Sequence, residues 1–367
     1  MSDSTKNFPA EVKEWKDSVS GRTILQLTDY PCYHNKLYIT VDSWTPDEKN
    51  LIFLSQRDSA VWNLYKMDME NFRVNALTAE TEHINPYNPV IAPNGKEVWY
   101  HSAGEEIKAV DISSGTIRLI VRIPEKNWQS TIGTGPGRVA LQCRLRWQEE
   151  ILQPDNMKNY KSFGSLVEIM ADGSAEPRTI FEEHFQLGHT LRPNKNGVIV
   201  YCKYDQGELW RINCDGTEKR KLYGNFHDHW ITHPVWLNER EVAFNEWPQA
   251  VRKVDLSGKV TTIANLNAFH LAVSPDGKKL VCDTLNPNRG LFIIDSENGD
   301  CKFLCRDENQ PIGGEQWKES RPYPVTHHYP WHVPSTHTHP SFNRSGSRVL
   351  FNSNRGTQFM QLCLVNL

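Results

Sequence analysis

Short apolar runs alternate with polar turns along this chain, and the alternation has a period. A turn containing Pro, Asp, Asn or Gly precedes an apolar run at seven places: Thr45-Pro46-Asp47-Glu48 before Leu51-Ile52-Phe53, Ala92-Pro93-Asn94-Gly95 before Val98-Trp99-Tyr100, Gly135-Pro136-Gly137 before Val139-Ala140-Leu141, Arg192-Pro193-Asn194 before Val198-Ile199-Val200, Leu237-Asn238-Glu239 before Val242-Ala243-Phe244, Ser274-Pro275-Asp276-Gly277 before Leu280-Val281, and Arg344-Ser345-Gly346 before Val349-Leu350-Phe351. Each predicts the start of a β-hairpin. A second strand follows each time and ends in an acidic or polar turn, as in Leu64 to Asp68, Ile107 to Asp111 and Leu291 to Asp295. A short outer strand follows six of these, as in Arg73 to Thr78. The last repeat stops at Leu367 without one, and Arg22 to Thr28, which resembles Arg73 to Thr78, stands ahead of the first repeat.

Repeats of this kind predict an all-β fold, a seven-bladed β-propeller closed by the N-terminal strand completing the last blade. An open ring would leave an unpaired strand edge. The expected organisation is an N-terminal extension over residues 1–20 and a single propeller domain over 21–367, with insertions at about 145–163 and 306–336. The second insertion carries Trp317, Trp331, His327, His328 and His332 among prolines, a composition expected of an ordered lid over a site.

The first strand of each propeller blade lines the central channel, so equivalent positions on those strands converge. Counting seven residues back from the turn glycine, or from its aligned position, gives His339, His270 and His233, and His189 follows after a one-residue shift. His337 adds a fifth, two residues from His339, where an extended strand would put both rings on one face. A single such histidine is ordinarily a packed polar residue; recurrence across four repeats points to a site. Three imidazoles can hold a divalent transition metal and leave positions open, and another can act as a base near neutral pH.

Charge and cysteine usage narrow the partners. The net charge of −3, from 41 basic and 44 acidic residues, supplies no long-range field for nucleic acid or a membrane surface. The eight cysteines form no C-x-x-C pair and most lie in apolar runs, as buried thiols do. The polar N-terminus has no signal-peptide core, and no apolar run is long enough to span a bilayer, so a cytoplasmic location is expected. Oligomeric state is not legible in these features.

Thr336-His337-Thr338-His339-Pro340-Ser341-Phe342 followed by Val349-Leu350-Phe351 and Ser353, Phe269-His270-Leu271 ahead of Asp276-Gly277, Gly188-His189 with Arg192-Pro193, Thr232-His233, and the opening Leu27-Thr28, His34-Asn35 and Trp62-Asn63-Leu64-Tyr65 together resemble the oligogalacturonate lyase family. The resemblance runs in order from Gly21 to Leu367. It implies an intracellular seven-bladed propeller that degrades short acidic pectin fragments. It also implies a divalent cofactor, typically Mn2+, on His270, His337 and His339, with His233 as the base and with His189 and Arg192 at the substrate. The implied reaction is β-elimination: the C5 proton is removed, the C4 oxygen leaves, and a 4,5-unsaturated uronide forms. Two positions depart from the family pattern. Pro334 stands where the family has a glutamine ligand, leaving water or His332 as the further ligand, and Glu208 aligns with a substrate-binding arginine. Those departures keep a different uronide or sugar acid open as the substrate. A non-catalytic TolB-like propeller that binds a protein partner is the alternative from another class.

Overall fold

The computed structural model describes residues 6–81, 84–102, 106–122, 129–135, 138–145, 163–185, 187–203, 207–224, 230–284, 290–309 and 337–367. Both expected insertions fall mostly outside them, so Pro334, His332 and the aromatic residues of the second insertion lie outside the described residues. The described residues are all-β and form seven antiparallel sheets of four or five strands. The chain divides into two compact units, residues 1–119, 269–319 and 333–367 in one, and 120–268 and 320–332 in the other.

The six expected hairpins whose turns lie among the described residues are present, the strands Gln129–Gly135 and Arg138–Leu145 that flank the remaining turn pair antiparallel, and local turn chemistry shows how such a register is set. At Ser274-Pro275-Asp276-Gly277 the Ser274 hydroxyl donates to Asp276 Oδ1 at 2.6 Å, and Gly277 takes φ +73°, where a side chain would be strained. Strands that end in aspartate do so because its carboxylate then accepts the next backbone N–H groups. Asp111 Oδ1 takes those of Ser113 and Ser114 at 2.9 and 2.7 Å, and the resulting Asx turn reverses the chain.

In the first unit, the strands Asn50–Ser55 and Asn63–Asp68 lie in one sheet, Glu97–Ser102 and Glu106–Asp111 in the next, Lys279–Thr284 and Gly290–Asp295 in a third, and Arg348–Ser353 and Gln361–Asn366 in a fourth. Neighbouring sheets bury both faces against each other. Ile52 and Leu64 share a core with Val98 and Tyr100; Val281 and Leu291 share one with Val349 and Phe351; Phe53 and Met67 share one with Leu350 and Leu362. Burial on both faces is the reason these strands read as continuous apolar runs rather than strict alternation. Successive turns also touch. A Cβ placed on Gly95, at φ +69°, would sit 2.3 Å from Pro46 Cγ, so only glycine admits this contact.

The N-terminal stretch joins the sheets of this unit. Thr23–Gln26 pairs antiparallel with Gln361–Asn366, and Lys13–Lys16 pairs in turn with Thr23–Gln26. Asn7–Phe8 pairs with Val74–Ala76 in the sheet of the first repeat. The second unit holds three four-stranded sheets, built around Arg138–Leu145, Val198–Lys203 and Glu241–Trp247. There Leu166 packs with Ile199 and Tyr201, and Val200 and Leu209 pack with Val242 and Phe244.

Candidate metal centre

His270 is the third residue of the strand Ala268–Val273, whose sequence Ala-Phe-His-Leu-Ala-Val is otherwise apolar and is buried up to its half-buried last residue. A single carboxylate holds both its main chain and its ring. Asp283, on the neighbouring strand Lys279–Thr284, accepts the backbone N–H of His270 at Oδ1 and faces ring Nδ1 with Oδ2, both at 2.7 Å. Both side chains are almost wholly enclosed, at 2% and 5% exposure.

His337 and His339 reach the same place from a different kind of backbone. The extended strand expected there is not observed: residues 337–340 are irregular, and pairing begins only at Ser341–Phe342. His339 takes φ +45°, a left-handed conformation that costs a non-glycine residue about 1–3 kcal/mol and persists only where the surroundings impose it. The surroundings here are buried amides and hydroxyls. Asn352 donates its backbone N–H to Thr338 O at 2.8 Å and its side-chain amide to His337 O at 3.0 Å. The Thr338 hydroxyl donates to Asp307 Oδ2 at 3.0 Å and accepts from Asn309 Nδ2 at 2.8 Å.

The outcome is a cluster. The rings of His337 and His339 lie nearly parallel, 10° apart with centroids at 5.1 Å, and His270 stands nearly perpendicular to both, 5.2 and 4.2 Å away. One nitrogen from each of the three lies within 4.8 Å of the other two. Phe269 stacks on His337, and Tyr38 and Tyr87 meet the His339 ring edge-on at 5.2 and 6.3 Å, so aromatic walls surround the donors. Three imidazole nitrogen donors from two backbone segments are the donor set of a divalent transition-metal site with positions left for other ligands. The three residues grouped as ligands in the sequence are thus brought together. Asp283 and the Thr338 anchors were not foreseen. The only signal for Asp283 is an acidic residue directly after the apolar run Leu280-Val281-Cys282, in a strand that is buried from Leu280 on.

The second unit holds the remaining expected residues. His189 and His233 lie side by side, with ring centroids 4.5 Å apart. Each sits where the strand register slips: between Leu187 and Thr190 for one, and between Thr232 and Val235 for the other. Such bulges re-aim side chains. His233 has φ +49° and is followed by Pro234, the same left-handed His-Pro step as His339-Pro340. Arg192 is exposed, and its carbonyl accepts the Trp236 indole N–H at 2.9 Å. Glu208, aligned with the family's arginine, is engaged within its own sheet: its carboxylate accepts Trp210 Nε1–H at 2.7 Å and pairs with Lys221 at 3.0 Å.

His34, left without a role by the sequence, is fully buried on the short strand His34–Lys36. Burial, with help from the Arg57 guanidinium, holds its pKa down to about 3, so it is a neutral packing residue at neutral pH. Two residues on, burial lowers the Lys36 pKa to about 7, only partly offset by Asp42, while its ammonium group donates to Leu37 O at 2.7 Å.

Comparison with known proteins places this architecture. The chain is 24% identical to an oligogalacturonide lyase of Pectobacterium atrosepticum, with 94% of each chain covered. Its structure superposes on an oligogalacturonate lyase in complex with manganese with a TM-score of 0.82 at 20% identity, covering 99% of this chain and 98% of that one. A β-propeller domain from Myceliophteria thermophila matches with a TM-score of 0.57 at 11% identity, covering 98% of this chain and all of that one, in line with a propeller fold. The sequence profile described as oligogalacturonate lyase matches residues 2–366, and the chain therefore belongs to the oligogalacturonate lyase family of enzymes.

Proposed function

We propose that this chain is a metal-dependent lyase that cleaves short oligogalacturonides by β-elimination, on a seven-bladed propeller ring closed by the N-terminal strand. The observation that carries the reading is the convergence of His270, His337 and His339 in a member of this family. Ring closure is supported by the pairing of Thr23–Gln26 with Gln361–Asn366 and by the core shared between the sheets of the last and first repeats.

The three histidines would hold a divalent ion, Mn2+ by analogy with the related complex. Bound there, such an ion supplies Lewis-acid stabilisation of a uronate carboxylate as negative charge builds at C5. The chain's own residues do the rest. His233 accepts the C5 proton, the electron pair becomes the C4–C5 double bond, and the C4 oxygen departs with the leaving saccharide. His189 lies beside His233 and would hold the substrate near that base, and Arg192 offers a cation for a second carboxylate. Since Glu208 is already paired with Lys221 and Trp210, its carboxylate is partly neutralised and does not argue against an acidic substrate.

The test is ultraviolet absorbance of the unsaturated product when the protein meets digalacturonate, with Mn2+ and then with chelator. A rise that chelator abolishes is expected, and His233→Ala should remove it while the protein still takes up Mn2+. No rise from Mn2+-loaded wild-type protein would overturn the substrate assignment. Full activity of His233→Ala would overturn the base.

A further inference from the structure

We propose that Asp283 is a positioning residue which fixes the tautomer of His270, so that Nε2 rather than Nδ1 is the donor offered to the ion; the inference rests on the metal reading above. The argument starts from donor and acceptor counting. Asp283 Oδ1 faces the backbone N–H of His270, a group that can only donate. Oδ2 faces Nδ1 of the same residue at the same distance, 2.7 Å. With Oδ1 accepting from the main chain, Oδ2 stands as the matching acceptor toward the ring, so the ring donates from Nδ1 and the lone pair lies on Nε2. The backbone bond matters as much as the ring bond, because it prevents the carboxylate from rotating away.

A carboxylate in this position has no packing rationale. Asp283 follows Leu280, Val281 and Cys282 in a strand that is buried after its first residue. Enclosing a charge there is unfavourable unless it is paired and hydrogen-bonded. Both of its carboxylate oxygens face His270, and carboxylate–histidine–metal arrangements are the usual way a ligand ring is oriented and made more basic.

Asp283→Asn separates this role from simple packing. The amide keeps the shape but has one acceptor and one donor. The backbone N–H claims the acceptor, so the amide N–H is turned toward Nδ1. Nδ1 must then accept, the ring proton moves to Nε2, and the donor facing the ion is lost. The experiment pairs calorimetric titration of chelator-treated protein with Mn2+ and a long-range proton–nitrogen spectrum of the histidine rings, assigned with His270→Gln. The expected results are an Nδ1–H tautomer in wild-type protein, an Nε2–H tautomer in Asp283→Asn, and an affinity for Mn2+ lowered by about 10–100-fold. A wild-type ring with its proton on Nε2 would overturn the inference, and that measurement needs no variant to fold. Equal Mn2+ affinity in wild type and Asp283→Asn would overturn it while leaving the metal reading intact. Wild-type protein that takes up no Mn2+ would overturn the metal reading and the inference with it.

Discussion

His270 and the His337/His339 pair arrive at one cluster by opposite means. His270 stands on a regular strand, and one carboxylate holds both its backbone N–H and its ring. His337 and His339 lie where no ladder exists, and it is the backbone that must be pinned, through His337 O, Thr338 O and the Thr338 hydroxyl. The ligand on a strand is held by one side chain that grips its ring and its main chain together, and the pair on an irregular segment by several partners of the main chain. The two therefore fail differently: loss of the ring anchor should weaken metal binding, and loss of the backbone anchors should cost stability as well.

The largest expected effect ignores that distinction. His270→Ala and His339→Ala each remove one of three donors, and each should lower Mn2+ affinity by orders of magnitude in a calorimetric titration, since ligand bonds carry most of a site's binding free energy. Near-wild-type affinity in either variant would show that its ring is a wall of the cluster and not a ligand.

The distinction appears one step further out. Asn352→Ala leaves Lys36 N–H, Asn35 Oδ1 and His337 O without the amide that now bonds all three. At about 1–3 kcal/mol per buried polar group left unsatisfied, the loss should be roughly 3 kcal/mol or more in urea denaturation. Thr338→Val is nearly isosteric and removes only the hydroxyl between Asp307 and Asn309, so about 1–2 kcal/mol is expected. Both variants should also bind Mn2+ less tightly, in the same order. If Asn352→Ala unfolds more easily yet binds Mn2+ as wild type does, the segment is held by something else.

The same contrast separates what could be read in the sequence from what could not. Turns such as Ser274-Pro275-Asp276-Gly277 dictate local geometry through φ and Asx bonds, so hairpins and their order were legible from a few adjacent residues. His270 and His339 were legible because position within a repeat carries over from one repeat to the next, His337 through its spacing from His339, and their grouping as ligands through the family resemblance. The backbone of His337 to Pro340 was not, because His-x-His is compatible with a strand and only distant partners decide otherwise. Asp307 is 31 residues from Thr338, and Asn352 is 15 from His337. Asp283 was hidden for a related reason: its partner is 13 residues away, across a hairpin, and nothing adjacent to it reveals the bond.

His34 sharpens the contrast with the smallest effect, being a buried histidine of the same unit with no carboxylate on its ring. Nε2 lies 3.3 Å from Tyr30 O and 3.5 Å from Cys32 Sγ, and Arg57, paired with Glu11 at 2.8 Å, is the nearby charge that disfavours protonation. The Cys32 thiol is itself pushed up by burial and stays neutral. With the folded-state pKa lowered from 6.5 to about 3, the unfolded chain takes up a proton at mild acidity that the folded chain refuses. The stabilisation is therefore complete above about pH 6.5 and is lost as pH falls toward 3, by about 1.4 kcal/mol per pH unit once well below 6.5. His34→Gln has nothing to titrate, so between pH 6 and pH 5 its unfolding free energy should fall by about 1 kcal/mol less than that of wild type, while Mn2+ uptake at neutral pH is unchanged. Identical pH slopes would mean that His34 accepts its proton without unfolding, and that burial on this strand does not exclude the charged ring.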